Sequence, residues 1–271
     1  MEMKLRNGVE IPEIGLGVYK MAAGAEMEQA VGCAYRCGYR LFDTAQMYEN
    51  EDALGEAIEK NGIARDSIFL VSKVDNGNQG YEKTLASFEE SLKKLRTDYL
   101  DAFLIHWPGQ DQERTISTWK AMEELYRAGK VRAIGVCNFE KSQLKRLLEH
   151  CEVPPMIDQI EHTPLQHNEE LLSFCRAQEI SVMAWAPLLR GNFADERIEK
   201  LAEKYRRTPA QILLRWNIQQ GILPIPKTKS PERLKENISV FDFELEEADM
   251  EALNHMNTGF RTSFDPLTFD F

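Results

Sequence analysis

The sequence predicts a (β/α)8 barrel, the TIM-barrel architecture. Short apolar, strand-like runs alternate with helix-period stretches from end to end, and eight such runs can be counted. The length, 271 residues, is close to that at which this architecture runs as one unit. Strict alternation of the two patterns implies a parallel sheet, with the helices outside it. Residues 1–271 are therefore expected to form a single barrel domain.

The chain opens with an expected hairpin, Lys4-Leu-Arg and Val9-Glu-Ile11 around Asn7-Gly8. An Asn-Gly pair supplies the positive φ angles that a two-residue turn requires. Core strands are expected at Glu13–Leu16, Leu41–Asp43, Ile68–Ser72, Leu100–Ile105, Val131–Val136, Met156–Ile160, Ile180–Ala184 and Ile222–Pro224. Several are continuous apolar runs, as befits strands covered on both faces. Between them, Leu85, Phe88, Leu92 and Leu95 recur at helical spacing, as do Ile116, Trp119, Met122 and Tyr126, and Leu144, Leu147 and Leu148. Each stripe can bury one face while the other stays charged. Asn168 and Thr208-Pro209 read as helix starts. An open doubly wound sheet would carry Gly-x-Gly-x-x-Gly after its first strand. Gly15-Leu-Gly17 has no third glycine in register.

Composition narrows the function. Hydrophobic residues make up 43% and charged residues 28%, with a net charge of −11. That balance argues against a nucleic-acid partner, which needs excess Lys and Arg. No apolar run reaches membrane-spanning length and no signal-peptide pattern opens the chain, so a cytoplasmic protein without membrane contact is expected. Five cysteines at 33, 37, 137, 151 and 175 suit neither a disulfide framework nor a zinc site. Cys33 and Cys37 read as small buried side chains. The five histidines, at 106, 150, 162, 167 and 255, offer no His-x-His cluster, so no metal is expected.

In a barrel, side chains at the C-terminal ends of the strands share one mouth. Asp43 ends the second core strand, Lys73 follows the third and His106 follows the fourth, with Tyr48 in the loop after the second. Read singly, each has an ordinary role as a turn cap, a surface aromatic, a solvated lysine or a packed ring. Read together they make a metal-free proton-donating site. Lys73 would lower the Tyr48 pKa, Asp43 would hold Lys73, and a neutral His106 would polarise a carbonyl while Tyr48 protonates its oxygen.

The segment Gly38-Tyr-Arg-Leu-Phe-Asp43-Thr-Ala-Gln-Met-Tyr48-Glu-Asn-Glu51 resembles the active-site signature of the aldo-keto reductases, and the resemblance runs from Gly15 to Asn237. It implies Asp43, Tyr48, Lys73 and His106 as the catalytic tetrad, with Tyr48 the general acid. It also implies NADPH as cofactor and a small-molecule carbonyl as substrate, in a chain that is usually monomeric. Gly135-Val-Cys-Asn-Phe139 looks like the family's Gly-Val-Ser-Asn-Phe motif. By resemblance, Asn138 and Gln159 hold the nicotinamide carboxamide, Trp185 stacks on its ring, and Leu188 joins the cofactor contacts. A Trp at 185 resembles the bacterial diketogulonate-reductase and glyoxal-reductase-like branch.

Pro226-Lys-Thr-Lys-Ser-Pro-Glu-Arg233 follows the eighth strand and leads into a short helix, where barrels often seat phosphate. Lys227, Thr228 and Arg233 resemble contacts to the adenosine 2′-phosphate, and Glu236 and Asn237 resemble adenine contacts. Tyr19 and Trp107 should line the substrate pocket beside His106. The tail, with Phe260, Phe264, Phe269 and Phe271, either packs over the mouth and sets specificity or lies against the barrel side; the fold expectation adopts the former.

Three departures stand out. Cys137 replaces Ser, Asp158 stands where Asn is usual, and Glu161-His162-Thr163-Pro164 shuffles a family stretch, which assigns His162 a structural role. The resulting expectation is NADPH-dependent reduction of aldehydes and ketones, with 2-oxo-aldehydes and diketones among the candidates. A cofactor-binding regulatory protein is the alternative, and turnover separates the two.

Overall fold

The computed structural model describes residues 2–192 and 194–271. Strands β1 (Glu2–Lys4) and β2 (Glu10–Pro12) pair antiparallel, with Met3 opposite Ile11. The hairpin is present, but its turn is not the expected one. Leu5 and Val9 bracket a three-residue loop, with Leu5 N–H donating to Val9 O and Gly8 N–H to Leu5 O. Of the two loop-tip residues only Gly8 has positive φ, at 84°, as in a type I turn closed by a left-handed residue. Asn7 uses its side chain instead, donating to the Arg132 carbonyl at 2.9 Å.

Eight further strands form one sheet: β3 (Leu16–Gly17), β4 (Leu41–Asp43), β5 (Phe69–Val74), β6 (Leu100–Ile105), β7 (Val131–Cys137), β8 (Ile157–Glu161), β9 (Ser181–Trp185) and β10 (Leu223–Pro224). They pair in that order, all parallel. Gly15 N–H donates to Pro224 O and Gly17 N–H to Pro226 O, so the two edges meet and the sheet curls into a barrel. The first strand is later and shorter than expected, because the chain leaves the hairpin at Pro12 and pairs with β4 only from Leu16. The third expected strand runs two residues further, so Lys73 lies inside β5 rather than after it.

Helices alternate with the strands: α1 (Ala25–Cys37), α2 (Glu51–Lys60), α3 (Tyr81–Leu95), α4 (Gln112–Arg127), α5 (Lys141–His150), α6 (Glu169–Ala177), α7 (Glu196–Tyr205), α8 (Pro209–Gln219), α9 (Pro231–Ile238) and α10 (Glu247–Asn254). Phe88, Leu92 and Leu95 of α3 and Trp119 and Met122 of α4 are buried against the sheet. Asn168 caps α6 through Leu171 N–H, and Thr208 and Gln211 form a reciprocal cap on α8. Cys33 and Cys37 are half-buried rather than buried.

Alternation along the strands sorts the core in two. Leu41, Phe69, Val71, Ala102, Leu104, Ala133, Ile157, Met183 and Leu223 fill the barrel with Leu5 and Ile11 of the hairpin. Phe42, Leu70, Phe103, Ile105, Ile134 and Val136 face the helices. Gly135 belongs to the inner set, where a Cβ would sit 2.5 Å from the Ile157 carbonyl oxygen. Among the described residues, no helix is long and apolar enough to cross a membrane, and no group of three or more His, Cys, Asp or Glu is placed to hold a metal.

Candidate active site

Following each inward-facing row to the C-terminal end of its strand leads from apolar packing to chemistry. The rows run Leu41 to Asp43 on β4 and Phe69, Val71, Lys73 on β5. On β6 the row is Ala102, Leu104 and then His106, just past the strand. On β7 and β9 it ends in Cys137 and Trp185, and on β8 it passes through Gln159 to Glu161. Period-2 alternation thus aims these groups at one volume.

Lys73 is at the centre and wholly buried. Its ammonium donates to Asp43 Oδ1 at 2.7 Å and to the Thr44 carbonyl at 2.8 Å, and lies 3.5 Å from the Tyr48 hydroxyl. Burial works against the ammonium, but the Asp43 carboxylate overrides it and holds the Lys73 pKa above its ordinary value. Gln159 Nε2 donates to the other Asp43 oxygen at 2.7 Å. The carboxylate is therefore satisfied on both sides.

Tyr48 ends a 3-10 turn (Gln46–Tyr48). Gln46 braces that turn, donating to Ser87 O and Ser91 Oγ and accepting from Asp75 N–H. The Tyr48 ring is half-buried and packs 4.8 Å from Tyr19 and 5.5 Å, edge-on, from His106. Its hydroxyl is the buried end. Burial pushes its pKa up to about 12, and the opposing pull of Lys73 is smaller. The expected net lowering is therefore reversed, because desolvating a phenolate costs more than one nearby ammonium returns.

Among the described residues His106 has no partner for Nδ1, its backbone oxygen accepts from Asn138 Nδ2 at 3.0 Å, and burial, aided by the Lys73 charge, pushes its pKa down to about 3. It is neutral at neutral pH. A buried N–H without an acceptor is costly, so the proton belongs on Nε2, the nitrogen not enclosed by protein.

Around this centre Asn138 is a junction. It follows β7 with φ 62°, and its Oδ1 accepts from the Trp185 indole N–H at 2.8 Å. Among the described residues, Gln159 Oε1 and one Asn138 N–H have no hydrogen-bond partner. Leu188 is half-buried and directly precedes the left-handed residues Leu189 and Arg190.

Ser230 caps α9, Pro231 opens it, and exposed Lys227 and Arg233 flank its start. Neither cation has an ion-pair partner among the described residues, whereas Lys229 pairs with Glu26 at 2.6 Å. Thr228 is buried and accepts from Ser230 N–H. Glu236 accepts from the Thr208 hydroxyl at 2.8 Å, and Asn237 is buried.

The tail meets the loops after β6 to β9. Phe269 packs 4.9 Å from Trp107 and stacks 4.4 Å from Phe264. Gln110 Nε2 donates to the Leu267 and Phe269 carbonyls, Arg261 to Glu140, and Thr262 N–H to Glu161. The sequence reading missed Glu161 as the tail's anchor; its place beyond Gln159 in the inward row of β8 was the available signal. A groove of about 170 Å3 beside Pro108, Thr115, Phe139 and Arg146 holds none of the four central groups.

His162 is structural in its contacts. It is buried, stacks 4.6 Å from Trp216, and its Nδ1 is 2.8 Å from Asn217 Oδ1. Burial pushes its pKa down to about 3. Below pH 6.5 an unfolded chain takes up a proton here that the folded chain refuses, so this group costs stability as pH falls. The stability penalty of His162→Gln should therefore shrink by about 1.4 kcal/mol per pH unit below 6.5. Denaturant titrations of both proteins at pH 7 and 5 measure this, and a constant penalty would contradict it.

Residues 13–258 match the model of the aldo/keto reductase family. The chain is 45% identical to the glyoxal reductase of Bacillus subtilis (strain 168), over 97% of this chain and 95% of that protein. Among solved structures, MGS-M4, an aldo-keto reductase from a Medee basin deep-sea metagenome library, superposes with a TM-score of 0.95 at 40% identity, covering 99% of this chain and 100% of that one. Gox0644, solved as a mutant in complex with NADPH, gives 0.93 at 40% identity, covering 100% and 99%. The chain belongs to the aldo/keto reductase family.

Proposed function

We propose that this protein reduces aldehydes and ketones to alcohols with NADPH, using Tyr48 as general acid. The observation that carries the reading is the buried Asp43–Lys73–Tyr48 relay beside a neutral His106. Bound NADPH supplies a hydride to the carbonyl carbon. His106 Nε2–H and the Tyr48 hydroxyl grip the carbonyl oxygen. As negative charge grows there, the oxygen becomes far more basic than a phenolate, so even a phenol near pKa 12 gives up its proton. Lys73 stabilises the phenolate that remains, and Asp43 keeps Lys73 charged and aimed.

The residues fit the cofactor. Gln159 Oε1 and the second Asn138 N–H would hold the carboxamide, and the partly buried Trp185 ring would stack on the nicotinamide, with Leu188 among the cofactor contacts. Lys227, Thr228 and Arg233 at the α9 N-terminus would hold the 2′-phosphate, and Glu236 and Asn237 the adenine. Tyr19 and Trp107 flank the substrate, and the Phe264–Phe269 stack extends the tail over the mouth of a single barrel domain. A 2-oxo-aldehyde is the first substrate to try, given the glyoxal reductase relative.

The test is cofactor consumption with aldehydes, 2-oxo-aldehydes and diketones, NADPH beside NADH. Turnover that prefers NADPH supports the reading; NADPH binding without turnover on any carbonyl overturns it. Arg233→Ala should weaken NADPH binding by roughly ten- to a hundredfold, the scale of a lost charge-assisted contact, and NADH binding much less. Equal losses would show that Arg233 does not read the 2′-phosphate.

A further inference from the structure

Among the described residues, Lys73 is the one hydrogen-bond partner of the Tyr48 hydroxyl, at 3.5 Å. That is the outer edge of hydrogen-bond range, so a drift of roughly half an ångström would break the contact. The distance is therefore set by what holds the chain on either side of Tyr48.

Two residues before it, Gln46 uses its whole amide capacity of two donors and two acceptor sites. Its Nε2 donates to Ser87 O at 3.1 Å and to Ser91 Oγ at 3.0 Å, and its Oε1 accepts from Asp75 N–H and Asn78 Nδ2, both at 2.9 Å. Three residues after Tyr48, the buried Glu51 opens α2. Each of its carboxyl oxygens accepts from one serine hydroxyl, Oε1 from Ser72 at 2.6 Å and Oε2 from Ser91 at 3.2 Å. Ser72 and Ser91 are both wholly buried.

These bonds close a circuit. It runs from Gln46 through Ser91 on α3 to Glu51, from Glu51 to Ser72, along β5 through Lys73 to Asp75, and back to Gln46. Its two ends on the chain bracket Tyr48, and its β5 side contains Lys73. Ser72 faces the helices because Lys73 faces the barrel interior, so the circuit fastens the outer side of the strand whose inner side carries the ammonium. Asn50 restrains the same segment, but through Thr44 Oγ1 and Val18 O, beside β4 and β3 rather than β5. A buried polar network whose members are all satisfied holds one arrangement.

We propose that Gln46, Ser91 and Glu51 are positioning residues that set the Tyr48 hydroxyl against the Lys73 ammonium. The inference rests on the reading of Tyr48 as the general acid.

The experiment places Gln46→Met and Ser91→Ala in the parental protein and in Tyr48→Phe. It measures the single-turnover rate of NADPH oxidation by a 2-oxo-aldehyde, NADPH affinity, and the carbon-13 NMR signal of the tyrosine ring carbon that bears the hydroxyl. Gln46→Met nearly keeps the side chain's length and removes all four bonds; Ser91→Ala opens the circuit at the shared hydroxyl. Gln46→Met should slow turnover about ten- to a hundredfold and Ser91→Ala about three- to tenfold, the scale of a misplaced catalytic group. NADPH affinity should stay within a few-fold of the parent. In the Tyr48→Phe background neither should slow turnover further, because the group they place is gone. The Tyr48 signal, assigned by its loss in Tyr48→Phe, should move in both variants. If Gln46→Met does not fold, Ser91→Ala carries the same test. Undiminished turnover, equal slowing in the Tyr48→Phe background, or an unmoved Tyr48 signal would each overturn the proposal. If Tyr48→Phe turns over like the parent, the general-acid reading falls. The Tyr48 signal then decides alone: a shift in both variants supports the circuit's hold on the hydroxyl, and an unmoved signal sinks it.

Discussion

Replacing Tyr48 by Phe is expected to leave NADPH affinity near the parental value and to lower kcat roughly 10²- to 10⁴-fold, the usual worth of a placed general acid. The variant keeps the ring, with its contacts to Tyr19 and His106, and removes only the hydroxyl 3.5 Å from Lys73. Steady-state turnover and a separate cofactor titration check the two halves. A kcat within a few-fold of the parent would remove Tyr48 as the proton source and leave His106 as the remaining donor.

Lys73→Met should have the other large effect, on stability and turnover together. It leaves Asp43 buried with Gln159 as its remaining side-chain donor. Breaking a buried ion pair from one side costs about 3–5 kcal/mol, read as a lower denaturant midpoint. Adding Asp43→Asn removes the stranded charge and should restore most of that stability with none of the activity. Both partners are needed for chemistry, but only their mismatch is costly for folding. A single Lys73→Met variant as stable as the parent would show that the pair is not coupled as the geometry states.

Much of this was legible in the residues because period-2 alternation is a strong constraint. Once Leu41, Val71 and Leu104 are placed inside a barrel, Asp43, Lys73 and His106 must follow them inward. The eight strands were found for the same reason, with errors of only a few residues at their ends. Features that depend on competing energies were not legible. The net direction of the Tyr48 pKa turns on desolvation against one ammonium, and only the depth of the hydroxyl decides it. The hairpin turn type depends on where β1 and β2 register, which Asn7-Gly8 alone does not determine. The Glu161–Thr262 anchor joins residues 101 apart in sequence, a pairing without local periodicity. Asp158 was visible as a departure from the family pattern, but its complete burial appears only when the sheet and helices are packed.

The central claim is tested most directly by following the hydride itself. NADPH deuterated at the transferring position is incubated with the protein and a 2-oxo-aldehyde, and the alcohol is analysed by mass spectrometry and NMR. The account predicts one deuterium on the carbinol carbon with the wild type, and almost none from Tyr48→Phe, although that variant still binds NADPH. Unlabelled product, no product from any carbonyl, or equal labelling by Tyr48→Phe would contradict it.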